Sequence, residues 1–209
     1  ICASLTLGLP AGSAELTSSS ATYQYGSYVG TGASGCSWSL DEALGPEFES
    51  SGSDNEDCEG DWTMGVTVGG IYATSFGAGQ DRMPIFFGGT KNEDIAATAV
   101  FSDSVRAVIS VELVGEVSSA LLRVEMTSPG GESQVISIEA PGVLSAVFAA
   151  GPGEYQFVVK SGIELSSSYS TELGYYILPF SAAIAVDWSD GGGVPVSATS
   201  WGQLKAMYR

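Results

Sequence analysis

The stretch VRAVISVELVGEVSSALLRVEMTSPGGES, residues 105–133, decides the fold. Read two residues at a time, Val105, Ala107, Ile109, Val111 and Leu113 fall on one side, with Arg106, Ser110 and Glu112 on the other. Side chains alternate across a β-strand, so this pattern marks a strand with one buried face. A second run follows the residues GEVSS, with Leu122, Val124 and Met126 on one side and Arg123 and Glu125 on the other. SPGGES at 128–133 then reads as a turn, because Pro129 presets φ and the glycines tolerate conformations closed to other residues.

Working outward, the same grammar repeats. QVISIEA, GVLSAVFA, the turn AGPGE and YQFVVKSG lead to the long apolar run GYYILPFSAAIAVDW, broken by Pro179. Turns recur at about 8–12 residues, the spacing of sandwiches and small barrels rather than of helix-bearing folds. The chain is therefore expected to be all-β, an antiparallel, jelly-roll-like β-sandwich. Residues 15–190 form that domain: a Gly/Ser-rich acidic part at 15–80, then regular sandwich strands at 83–186. The acidic part has shorter strand-like pieces, ATYQYGSYVG, CSWSL and DWTMGVTVGGIYATSF. In the last of these Met64, Val66 and Val68 share a face and Gly69-Gly70 reads as a turn or bulge. SLDEALG reads as a single helical turn near Leu40. At the ends, residues 1–14 read as an extended strand and 191–209 as a Gly-linked tail. Ser200 and Gln203 in that tail fit the cap of a short helix, with Trp201, Leu204 and Tyr208 on one docking face.

Residues 100–162 carry a resemblance. The strand, the turn SPGG, a further strand and the sequence Gly151-Pro152-Gly153-Glu154-Tyr155 before the next strand resemble the β-sandwich modules appended to secreted bacterial proteins, of the pre-peptidase C-terminal type. The resemblance covers about a third of the chain and implies an accessory β-sandwich of a secreted protein. The acidic cluster that such modules carry early is missing here.

Composition narrows the chemistry. Asp and Glu number 24 against 7 Lys and Arg, a net charge of −17, and the first basic residue is Arg82. Nucleic acid and anionic membranes would be repelled. Histidine is absent, which removes Ser-His-Asp and Cys-His catalysis and zinc sites built on imidazole. No apolar run is long enough for a helical membrane span. Nothing calls for an organic cofactor.

Three cysteines occur, Cys2, Cys36 and Cys58. Cys36 and Cys58 flank an irregular polar stretch, where a disulfide would contribute ~3 kcal/mol by restricting the unfolded chain. That pairing points to an oxidising, extracellular or cell-surface setting; two reduced thiols are the other reading. Around Cys58, SGSDNEDCEGDW clusters acids, of which Asp54, Asp57, Glu59 and Asp61 are the candidate calcium ligands. The spacing is not that of an EF-hand, and a solvated acidic loop is the alternative.

Two functional classes follow. In the first, the chain is a non-enzymatic structural subunit that assembles with copies of itself into an extracellular filament or surface layer. The alternating N-terminal residues Ile1, Ala3, Leu5, Leu7 and Leu9 would then be donated to a neighbour's sheet. In the second, it is a carbohydrate-binding or accessory module that binds polysaccharide through aromatics such as Trp38, Trp62, Tyr23, Tyr25 and Tyr28. Self-association separates the two.

Overall fold

A computed structural model of the chain describes residues 14–29, 37–42, 46–54, 58–81, 87–170 and 174–188. Among them there are thirteen strands and no helix. In chain order these are β1 (Ala14–Val29), β2 (Ser37–Glu42), β3 (Phe48–Asp54), β4 (Cys58–Thr67), β5 (Gly70–Asp81), β6 (Phe87–Phe101) and β7 (Val105–Gly115). They continue with β8 (Val117–Thr127), β9 (Ser133–Ile138), β10 (Gly142–Ala150), β11 (Gly153–Leu165), β12 (Ser167–Ser170) and β13 (Gly174–Asp187). The turn expected near Leu40 is instead part of β2, held extended by pairing of Leu40 with Tyr23.

The strands form two antiparallel sheets. Sheet I is six-stranded, in the order β2-β1-β6-β11-β8-β9. Sheet II is seven-stranded, in the order β10-β7-β13-β5-β4-β3, with β12 added on β13. The acidic N-terminal strands β1 to β5 thus lie in the same two sheets as the regular strands that follow. The expected face of β7 is fully internal, with Ala107, Ile109 and Val111 at 0 % exposure. Leu122 and Val124 of β8 meet it from the opposite sheet, and each such side chain contributes about 1.5–3 kcal/mol on burial.

Irregularities in the ladders keep the alternation in phase. In β1 the register shifts between Leu16 and Ser18, so Leu16, Ser19 and Ala21 all point inward. In β13 it shifts between Ile177 and Phe180, which places Pro179, unable to donate a ladder hydrogen bond, at the irregularity. Gly115 sits opposite at φ +107, where a Cβ would lie 2.2 Å from the Pro179 carbonyl oxygen. Only glycine allows that approach.

One end of the core is aromatic. Trp188 packs its ring against Phe157 at 5.0 Å and Phe101 at 5.7 Å, and Phe101 reaches Tyr155 at 5.3 Å. The Trp188 indole N–H donates to the Val68 carbonyl at 2.7 Å and its backbone N–H to that of Gly69 at 3.1 Å. These bonds pin the β4–β5 turn, which runs through Val68 and Gly69 rather than Gly69 and Gly70. Val68 therefore leaves the inward set of Met64 and Val66 and stands 56 % exposed.

Candidate functional site

Two places gather polar chemistry. The first is internal. The inward face of β6 continues from Ile95 back through Glu93 to Lys91, so both ionisable groups enter the core at 2 % and 1 % exposure. The Lys91 Nζ meets Glu93 Oε2 at 2.5 Å and donates to Ser161 Oγ of β11 at 3.1 Å. Burial pushes the Lys91 ammonium down from its usual range and the Glu93 carboxyl up, and each charge partly restores the other. Glu93 Oε1 has no hydrogen-bond partner among the described residues. An acid–base pair sealed in this way cannot meet a substrate without opening the sandwich. Its consequence is for stability, and the sequence reading did not single it out.

The second place is the outer face of sheet II. Along β5, Ile71, Ala73 and Ser75 point inward, which turns Tyr72, Thr74 and Phe76 outward. Their neighbours on β13 are Ala185, Ala183 and Ser181, and beyond these on β7 lie Ser110, Glu112 and Val114. The β13 side chains are small and nearly inaccessible, at 4, 4 and 6 %. They make a closed row of small residues between Tyr72, Thr74 and Phe76 of β5 and Ser110, Glu112 and Val114 of β7.

The Tyr72 ring lies across Gly65, where a Cβ would come within 2.7 Å of the phenol. This lets its hydroxyl donate to Glu49 Oε1 of β3 at 2.9 Å. Burial, followed by the hydrogen bond to and the charge of Glu49, pushes the phenol up to about 12, so it remains a donor at neutral pH. The ring is thereby fixed flat on the sheet. The outer face of sheet II offers aromatic rings, hydroxyls and a carboxylate, a set suited to a ligand with apolar faces and many hydroxyl groups.

The residues named from sequence fall elsewhere. Trp62, expected on a sugar-stacking face, is internal at 8 % exposure because the alternation of β4 points it inward with Met64 and Val66. Asp54 ends β3, and Glu59 and Asp61 lie in β4, where Asp61 pairs with Ser53 and Gly60 with Asp54. These acids thus belong to a hairpin, and Asp57 lies outside the described residues. Among the described residues no three His, Cys, Asp or Glu side chains gather as a metal site. Cys58 begins β4, while Cys36 lies outside the described residues, as do Ile1, Ala3, Leu5, Leu7 and Leu9 and the tail residues Trp201, Leu204 and Tyr208. Trp38 lies in β2, and Tyr23, Tyr25 and Tyr28 in β1. No helix of the described residues is long and apolar enough to cross a membrane.

No protein-family profile matches the chain, and no curated protein matches it. Solved structures similar to the chain include two of note. One is TmCBM61 in complex with β-1,4-galactotriose, at 8% identity over 66% of this chain and 87% of that chain, TM-score 0.25. The other is the enzymatically active domain of tailspike protein 4 of bacteriophage CBA120, at 11% identity over 76% of this chain and 19% of that chain, TM-score 0.22. With TM-scores this low, neither superposition assigns a role to any residue of this chain.

Proposed function

We propose that the chain is a non-enzymatic β-sandwich binding module, working outside the cell, that takes a neutral carbohydrate on the outer face of sheet II. The observation that supports this is the outer face of β5, where Glu49 holds the Tyr72 ring flat over Gly65 and Phe76 lies four residues along on the same face. Sugar rings present apolar C–H faces to aromatic side chains, while Thr74, Ser110 and Glu112 bond their hydroxyls. A net charge of −17 disfavours acidic polysaccharides and leaves neutral ones as the ligand class.

Affinity electrophoresis against a panel of neutral polysaccharides tests the proposal. Retardation by at least one of them is expected, lost in Tyr72→Ala and Phe76→Ala while the circular dichroism spectrum is kept. Unretarded migration in every polysaccharide, or retardation that both variants preserve, would sink it. Assembly of copies into a filament through Ile1, Ala3, Leu5, Leu7 and Leu9 rests on residues outside those described. Calcium held by Asp54, Asp57, Glu59 and Asp61 likewise remains a proposal from sequence.

A further inference from the structure

The free edge of sheet II is unusual for a chain this acidic. β10, with the sequence GVLSAVFAA, has no charged residue, and Val143, Leu144 and Val147 are 69, 40 and 49 % exposed. Among the described residues β10 pairs with β7 alone, so no described strand is hydrogen-bonded along its other edge. Natural sheets blunt such edges with charge, proline or short strands. The other edges here do so: β2 ends in Asp41 and Glu42, β3 carries Glu49 and Asp54, and β9 is a six-residue strand with three polar side chains. β10 carries none of these devices over nine residues.

We infer that β10 is a self-association edge, at which two copies of this chain pair β10 with β10 in antiparallel fashion about a two-fold axis. The charge pattern selects the occupant and the orientation. A second copy also carries −17 and is repelled wherever acids face acids, but at β10 it meets none. With the axis at Ala146, Val143 lies opposite Ala149 of the second copy, Leu144 opposite Phe148 and Ser145 opposite Val147. Val143 neighbours Glu112 of β7, and Ala149 neighbours Arg106. Each outer cross-strand row therefore runs from Glu112 of one copy to Arg106 of the other. Parallel pairing in register would instead align Glu112 with Glu112. On the core-facing side, Leu144 meeting Phe148 covers the apolar seam that a single sandwich leaves half open.

Sedimentation velocity of the full chain over a concentration series tests this, independently of any sugar binding. The expected species has twice the mass of the chain. Val147 lies near the axis and half-exposed, diagonal to its own copy, so Val147→Glu and Val147→Lys each place like charges together and keep the fold. Each alone is expected to weaken association by about tenfold or more, and an equimolar mixture of the two to restore it. A chain that stays monomeric at every concentration overturns the proposal. So does association that both variants retain, or association abolished by deleting residues 1–12 while Val147→Glu leaves it intact. That last result would assign the contact to residues 1–12.

Discussion

Replacing Lys91 with Met leaves Glu93 alone in the core, 2 % exposed, without its ammonium partner. Removing one member of a buried pair costs about 3–5 kcal/mol, because the remaining group must be desolvated uncompensated or take up a proton. For a chain of this length that lowers Tm by roughly 10 °C. Glu93→Met should cost a similar amount by stranding Lys91. The double variant Lys91→Met/Glu93→Met removes both charges and keeps the volume, at the expense of the Lys91 bond to Ser161. Such replacements are often neutral or stabilising, so it should lie within about 2 kcal/mol of the wild type. Urea denaturation with a shared m-value closes the double-mutant cycle. The pH dependence carries a sign. Burial raises the Glu93 carboxyl above its usual 4.5, so as pH rises past 4.5 the unfolded chain loses this proton first and stability falls. Burial lowers Lys91 below 10.5, so as pH falls past 10.5 the unfolded chain gains this proton first and stability falls again. The gain of the double variant over wild type should therefore be largest between those limits, and the penalty of Lys91→Met should shrink as pH falls towards 4.5. Single variants costing under about 1 kcal/mol, or a double variant costing the sum of both, would refute a coupled buried pair.

Two further outcomes follow from the packing. Gly115→Ala forces a Cβ at φ +107 onto the Pro179 carbonyl and should cost about 2 kcal/mol or more, read as a lowered urea midpoint; Gly130→Ala, whose Cβ meets no atom closer than 3.8 Å, serves as the mild comparison. The Tyr72 phenol, raised from 10.0 to about 12, ties to the fold a stability that is complete below pH 10 and lost as pH rises through about 12; Tyr72→Phe should flatten that limb of the pH–stability curve, and an unchanged limb would dissociate it from Glu49.

Period-two alternation in residues 105–127 is a local property, and it carried the strand assignment and the inward faces of β7 and β8 without any knowledge of neighbours. In residues 62–76 it placed Met64 and Val66 on the buried face but put Val68 with them, because the turn that ends β4 one residue earlier is a long-range outcome. Alternation does not say which face is covered, nor which strands lie side by side. Lys91 and Glu93 occupy the same face as Ile95, Ala97 and Ala99, and only the packing of β6 beneath sheet II drives these charges inside with the alanines. Trp62 shows the converse, an aromatic offered to a ligand by its chemistry and withdrawn by its phase on β4. The pairing of Ser181, Ala183 and Ala185 with Phe76, Thr74 and Tyr72 joins strands more than a hundred residues apart in sequence, and so does the bond from Trp188 to Val68. Such neighbours are set by the order of strands in the sheet, a long-range balance of buried area against chain entropy that no local window contains. The sequence by itself determined the regular strands of 105–127 and their two faces; the tertiary structure decided which face became core, drew Leu40 into a strand, turned Val68 outward and left the edge at β10 open.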